Sequence, residues 1–427
     1  MLQNKTFSPF LSYFILFLIY TSTFRIFATL PLETLHQTLS TFSIIVLAVF
    51  YVIHTLLNLK NFYITKLDVI MWIVVVVNFL AAHQGFIVFK QPYYFGIMAQ
   101  RSVILSFSGI LLITLLEKGY ITIQQVERSF VGISLVLLVV FYSFFLFVNP
   151  ERFVDQEFVV YSPIRGYRYR FQFGIVIMLL FYSLFKISEE DKRRFYVPVI
   201  LILFYLIFFL QSRTTLVVMA IVLMIYFIRN FTLREKVRNI LIWVPVAVTV
   251  LLILVSLGYT SLFEKYQVLY QNVLSVFLGE TTDEASSAVR YMEFNTALTY
   301  IDKNPFLGNG FISNQWNGGW RDLLGYFYPV DIGILGNIFV FGLLGTFLLY
   351  LPFLFSFNIS QNVSSKNVFF KTCEYMILFF FLSMFFTAVN IRDMSSIMFT
   401  VCLLYYFRYH YFKEAMKPAD QYSDADS

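Results

Sequence analysis

The chain has 427 residues, of which 59% are hydrophobic and 13% charged, and its mean hydropathy is +0.73. This excludes a soluble globular domain, because such a domain could not keep so much apolar surface from water. The formal net charge of +6 does not indicate nucleic-acid binding, since no basic run with interleaved aromatic residues lies in a soluble segment. We therefore expect an integral membrane protein.

The apolar segments predict an all-α fold with about twelve transmembrane helices. A span needs about 20 apolar residues, and the first segment lacks the small-residue cleavage site of a signal peptide, so it is read as a retained helix. The predicted spans lie near residues 8–24, 41–58, 67–88, 102–116, 130–148, 171–187, 195–211, 214–229, 239–258, 331–356, 371–390 and 394–411.

Lysine and arginine are more frequent in the loops on the same side as the N-terminus, which the positive-inside rule assigns to the cytoplasm. With this orientation the chain divides into four parts. Residues 1–258 form nine spans with short loops, 259–330 a large outer loop between spans nine and ten, 331–411 the last three spans, and 412–427 a polar cytoplasmic tail. Cys373 and Cys402 lie in apolar stretches, so neither a disulfide framework nor a thiolate metal site is expected.

Arginines recur on the outer side, although charges at a membrane edge are costly and usually mark function. In chain order they are Arg165, Arg168 and Arg170 after span five, Arg213 in the short turn QSRTT, Arg290 and Arg321 in the large loop, and Arg392 in NIRDM. Each has a structural alternative. The first three could anchor the protein to lipid phosphates, Arg290 could pair with Glu293 or Glu284, and Arg392 could neutralise Asp393.

The large loop carries the most distinctive pattern. Arg290 begins an amphipathic helix with Phe294, Leu298 and Ile301 on one face, and Asn304-Pro305 ends it, because proline disfavours the α region for its predecessor. A turn with two glycines follows. Asp331 then precedes an apolar helix whose glycines, at positions 333, 336, 342 and 345, allow close helix approach.

These residues resemble the O-antigen ligase and polymerase family. The matching elements are Arg290, Phe294 and Ala297, the sequence NPFLGNGF at 304–311, GLLG at 342–345, and Ser212-Arg213. The resemblance implies a bacterial inner-membrane enzyme that moves sugar chains carried on undecaprenyl pyrophosphate, acts at the periplasmic face and needs no metal or other cofactor. Ligases of the family have a histidine eleven residues before the first glycine of GLLG. Here that position is Asp331, which favours a polymerase.

The proposed chemistry assigns a role to each candidate. Transfer of the glycan leaves an undecaprenyl pyrophosphate anion, and the planar arginine fork binds phosphate oxygens bidentately. Arg213 and Arg290 are predicted to stabilise this anion, with Arg165, Arg168, Arg170 and Arg321 as further binding residues. Asp331 is predicted to accept the proton of the acceptor hydroxyl, or alternatively to cap its helix.

Trp316 and Trp320 are candidates for stacking on sugars, or for interfacial anchoring. The four histidines have no metal-ligand spacing. Expected partners are undecaprenyl-pyrophosphate-linked oligosaccharides, the bilayer and a chain-length regulator, and no nucleic acid.

The sequence therefore predicts a surface-polysaccharide polymerase of lipopolysaccharide biosynthesis. The first alternative is an O-antigen ligase acting on the lipid A core. A flippase or transporter is less favoured, because most mid-span segments lack charge and no internal repeat is evident. A structural scaffold would not explain the outer arginines.

Overall fold

The computed structural model describes residues 7–29, 33–60, 64–156, 159–162, 166–171, 174–238, 241, 285–325, 327–363 and 366–411. Most of these residues are helical. The α-helices are α1 Pro9–Thr23, α2 Glu33–Lys60, α3 Lys66–Phe89, α4 Tyr93–Gln100, α5 Ser108–Glu117, α6 Ile123–Phe147, α7 Gly174–Glu190, α8 Tyr196–Phe204, α9 Arg213–Asn230, α10 Ala285–Ile301, α11 Trp320–Leu324, α12 Gly333–Gln361, α13 Val368–Phe386 and α14 Asn390–Tyr406.

Shorter elements connect or extend these helices. They are the 3-10 turns Ile26–Thr29, Arg101–Phe107, Pro150–Gln156, Arg193–Phe195 and Pro329–Ile332, and the π turns Tyr205–Leu210 and Phe407–Tyr411. Several helix starts follow directly from sequence. Thr65 and Asp68 form a capping box at α3, as do Thr122 and Gln125 at α6, while the Ser212 hydroxyl accepts the amide of Thr215 at the start of α9.

Eight helical segments within the described ranges are long and apolar enough to cross a membrane. Helices α1, α7 and α14 occupy three more of the positions predicted from the sequence. The predicted span at 239–258 lies outside the described residues. The protein is therefore a multi-pass helical membrane protein, and a total of twelve spans stays a prediction.

Loops that the sequence assigns to opposite sides of the membrane meet at opposite ends of the bundle. At the end that we call the site end, the amide of Ala388 donates to the carbonyl of Val330 over 3.0 Å, and the Tyr205 hydroxyl donates to the carbonyl of Tyr169 over 3.3 Å. At the opposite end, Phe7 donates to the carbonyl of Tyr120.

Helix α13 lies in the centre and packs against α7, α9, α12 and α14. Its buried face is mostly aromatic and aliphatic, and Cys373 on it is fully buried. Cys402 on α14 is also buried, and both cysteines are free thiols. A side chain at Gly109 of α5 would overlap Cys402, so this glycine permits the close approach of α5 and α14.

One element departs from the predicted all-α fold. Residues Val159–Ser162 (β1) and Gly166–Tyr169 (β2) form an antiparallel hairpin in which Val160 pairs with Arg168. The alternation of tyrosine and arginine from position 167 to 170 is a strand pattern, which the sequence prediction treated as a loop. The hairpin lies at the site end because Tyr169 is buried against Phe141 and Phe209.

Candidate functional site

The two sequence motifs NPFLGNGF at 304–311 and GLLG at 342–345 are joined in the structure. Helix α12 is broken at Gly342, whose backbone is non-helical with φ of 68° and ψ of 179°. The turn Asn304–Gly310 docks into this break, and we call the joined elements the clasp. The amides of Leu343 and Leu344 donate to the carbonyls of Pro305 and Phe306 over 2.8 and 3.2 Å. Bonds lost within the helix are thus replaced by bonds to the turn.

The turn also donates to the helix. The amide of Asn309 donates to the carbonyl of Phe339 over 2.7 Å, and the amide of Gly310 donates to that of Val340 over 3.0 Å. An unpaired backbone group in an apolar environment costs several kcal/mol. The break in α12 therefore depends on the turn for its stability.

Glycine is required where the turn Asn304–Gly310 touches the break in α12. Gly308 has a φ of +73°, and a side chain there would overlap the backbone of Val340 and Gly342. A side chain on Gly342 would in turn overlap Phe306. These contacts explain why both motifs carry glycine, and they are backbone contacts that no rotamer change could relieve.

Helix α3 holds the segment that leaves the clasp. Phe311 donates its amide to the carbonyl of Ala81 over 2.8 Å. The side chain of Gln91 is fully buried and binds the same segment at two points. Its Nε2 donates to the carbonyl of Phe311, and its Oε1 accepts the amide of Ser313 over 2.7 Å. Sequence reasoning missed Gln91, since nothing in KQPYY distinguishes it from an ordinary polar loop residue.

Helix α10 leads into the clasp and packs against α12 and the 3-10 turn Pro329–Ile332. Its packed face contains Glu293 and Ala297, which are 2% and 0% exposed. Phe294 and Leu298, on the apolar face that the sequence identified, are 41% and 37% exposed. The helix is therefore rotated by about one position relative to the face that hydrophobicity alone would bury.

This rotation places a carboxyl group beside the candidate base. Asp331 is exposed on the 3-10 turn, and Arg290 is exposed one turn before Glu293 on α10. Burial and the negative charge of Asp331 raise the pKa of Glu293 to about 7, although the amide of Tyr328 and the charge of Arg290 oppose the rise. Glu293 thus lies within electrostatic reach of both Arg290 and Asp331.

Asp331 does not cap α12. The N-cap is Ile332, which forms no side-chain capping bond, and α12 begins at Gly333. The capping alternative for Asp331 is therefore wrong. Its carboxylate stands on the exposed side of the turn, where an acceptor could reach it.

Arg213 belongs to a second part of the site end. It is the first residue of α9, is half-buried, and follows the π turn against which strand β2 packs. Arg168 on that strand is half-buried and Arg170 just after it is exposed. Arg165 lies outside the described residues.

The loop between the clasp and Asp331 has its own aromatic core. Trp320 is 4% exposed and packs edge-to-face on Phe89, Phe327 and Phe339, so little of its ring is open to a sugar. Trp316 is half-buried, whereas Arg321 is exposed. Trp320 thus stabilises the loop.

A polar cavity lies near the last loop at the site end. Arg25 donates to the carbonyl of Arg392 beside it, and the amides of Gln100 and Asn390 are buried, with atoms that lack a hydrogen-bond partner among the described residues. The lining also includes Asn78, Ser102 and Ser395. No group of three metal-ligating side chains occurs in the part of the chain that the structure describes.

Comparison with known proteins gives one match. Residues 198–350 match the family model described as O-antigen ligase, a range that includes Arg213, Arg290, the clasp and Asp331. No curated protein matches the chain. The matched family includes glycosyltransferase-like membrane enzymes, both ligases and polymerases. Its model covers both sequence motifs that meet in the clasp, and this match supports the O-antigen ligase and polymerase superfamily for residues 198–350.

Proposed function

We propose that this protein is an O-antigen or related surface-polysaccharide polymerase of the bacterial inner membrane. It transfers a glycan from undecaprenyl pyrophosphate onto the terminal sugar of another lipid-linked repeat unit at the periplasmic face. The observation that carries the proposal is the exposed carboxylate of Asp331, which lies close to Glu293 of the helix that carries Arg290 and stands at the position where family ligases have a histidine.

The proposed step is a substitution at the anomeric carbon. The acceptor hydroxyl forms the new glycosidic bond, while the bond from that carbon to the pyrophosphate oxygen breaks and its electron pair stays on the oxygen. The hydroxyl proton passes to Asp331. A weak base suffices when the transition state resembles an oxocarbenium ion, because the hydroxyl becomes acidic as the new bond forms.

Arginines stabilise the negative charge of the pyrophosphate leaving group. Arg290 is on the same helix as Glu293, and its charge and that of Asp331 both act on Glu293, so we assign Arg290 to the pyrophosphate at the reacting bond. Arg213, with Arg168 and Arg170 of the hairpin, forms the second cationic group of the site end, and Arg321 a further contact. Fixed positive charges preorganised where negative charge develops can stabilise it without reorganisation during the step.

A ligase is the second candidate, because the family match does not separate the two reactions. A ligase would take the lipid A core as acceptor, whereas a polymerase takes a lipid-linked repeat unit. Asp331 in place of histidine is the residue that favours the polymerase.

The test compares surface-glycan ladders in a deletion strain that carries the wild-type gene, Arg290→Ala or Asp331→Asn at matched membrane levels. Asp302→Asn is the control, since Asp302 is an exposed carboxylate just after α10. We expect both site variants to leave a single repeat unit on the lipid core and the control to give normal ladders. Polymer retained on its lipid carrier without surface glycan would show a ligase. Normal ladders in both site variants would remove these residues from the mechanism.

A further inference from the structure

Glu293 is a buried carboxyl group that the proposed reaction does not use. It is 2% exposed, its Oε1 accepts the amide of Tyr328 over 3.1 Å, and its Oε2 has no hydrogen-bond partner among the described residues. A buried carboxyl group with one open oxygen is costly compared with the alanine one helical turn later on the same face. Its presence there needs a reason beyond packing.

The hydrogen bond of Glu293 leads to Asp331. Tyr328 donates its amide to Glu293, and the carbonyl of Tyr328 accepts the amide of Asp331 over 3.0 Å. The turn between them is held on its other side by Val330, whose carbonyl accepts the amide of Ala388. The bond from Tyr328 to Glu293 and the bond from Ala388 to Val330 thus hold the turn that carries Asp331. Of the groups in these two bonds, the carboxyl group of Glu293 is the one that can change its charge.

Within the described part of the chain, the charges of two groups act on Glu293. Arg290 faces it from α10 itself, and Asp331 faces it from the turn. Helix α12 packs against both elements, and its first half, Gly333–Phe341, contains no ionisable residue. The charge of Glu293 is therefore felt mainly by Asp331 and Arg290.

We propose that Glu293 is a positioning residue for Asp331. It holds the Tyr328–Ile332 turn through the Tyr328 amide and places its own carboxyl group close to that of Asp331. This inference rests on the proposed function of Asp331. When Glu293 is ionised, its negative charge strengthens Asp331 as a proton acceptor and tightens the bond to Tyr328. When Glu293 is protonated, both effects weaken. Glu293 takes no proton from the acceptor.

The first experiment is a pH profile of polymerisation. Purified protein in nanodiscs is given undecaprenyl-pyrophosphate-linked repeat units extracted from the deletion strain, and initial rates are measured from about pH 5 to about pH 9. We expect the wild-type rate to rise across neutral pH. Glu293→Gln keeps an acceptor for the Tyr328 amide but cannot ionise, so it should lose that rise and be about three- to tenfold slower at alkaline pH.

Glu293→Ala also removes the acceptor for the Tyr328 amide, so its rate of polymerisation should be low at every pH. Asp302→Asn should keep the wild-type profile. A Glu293→Gln variant with the wild-type profile would overturn the electrostatic part of the inference. An Asp331→Asn variant that polymerises at the wild-type rate would instead overturn the proposed role of Asp331, and this result distinguishes the two failures.

The second experiment needs no polymerisation. Asp331→Cys is labelled with a membrane-impermeant maleimide in the Glu293, Glu293→Gln and Glu293→Ala backgrounds, and the native cysteines do not interfere because both are buried. We expect labelling to be at least about threefold faster in the Glu293→Ala background than in the Glu293→Gln background, because both lack the charge but only the alanine variant has lost the anchor of the turn. Equal rates in all three would overturn the positioning role.

Discussion

At the site end, the clasp carries motifs of the family pattern and the β-hairpin carries arginine. The two elements are held in different ways. The clasp is a set of reciprocal backbone hydrogen bonds between the turn Asn304–Gly310 and the break in α12, with glycines in contact. The hairpin is held by aromatic packing of Tyr169. Backbone contact leaves no room for adjustment, whereas side-chain packing does. The clasp should therefore tolerate far less change than the hairpin.

The sharpest test compares two glycines with nearly equal φ. Gly308 in the clasp (φ +73°) lies against the backbone of Val340 and Gly342, whereas Gly166 in the hairpin (φ +70°) has open space where a Cβ would be. We expect Gly308→Ala to abolish folded protein in the membrane and Gly166→Ala to cost only about 1 kcal/mol. Yield and thermal stability after detergent extraction measure both. Equal tolerance would mean that the clasp is not rigid.

A smaller effect is expected where the clasp meets α3. Gln91→Ala removes two buried hydrogen bonds to the segment Phe311–Ser313 and leaves their backbone partners unpaired, which should lower the free energy of unfolding by about 2–4 kcal/mol. Thermal melting in detergent measures the loss. Gln84→Ala, at a half-buried position of α3, is the matched control and should change stability by less than about 1 kcal/mol.

The pH dependence of stability tests the contact between α10 and the 3-10 turn Pro329–Ile332. The pKa of Glu293 is raised from 4.5 to about 7 in the folded protein. Between these values the unfolded chain has lost its proton while the folded protein keeps it, so stability falls as pH rises, by up to about 3 kcal/mol. Melting temperatures of Glu293→Gln should lack this component of the decline. A decline of equal size in the variant would assign it to other groups.

The smallest effect is expected in the hairpin. Arg168→Ala and Arg170→Ala should each lower the rate of polymerisation by about three- to tenfold, with little change in yield, because each removes one of several cationic contacts to a phosphate. Rates on extracted lipid-linked repeat units measure this. A loss as large as that of Arg290→Ala would place the hairpin at the reacting bond and cancel the contrast with the clasp.

The membrane helices could be predicted because span length and hydropathy are set by the bilayer. Arg290, the two glycine motifs and Asp331 could be named because the family pattern that they resemble consists of short local motifs. Glu293 was considered only as a surface partner of Arg290, since a single sequence does not show which face of α10 packs. Gln91 and the clasp depend on contacts between distant segments, for which neither hydropathy nor turn chemistry gives a signal.

The break in α12 also has an electrostatic consequence. The start of a helix is the positive pole of its macrodipole, and its free amides readily bind phosphate. Here the second half of α12 begins at Leu343, but the carbonyls of Pro305 and Phe306 already occupy the amides of Leu343 and Leu344. The protein thus satisfies this pole with its own backbone. A pyrophosphate must then draw its positive partners from side chains, which is the task that our proposal gives to the arginines.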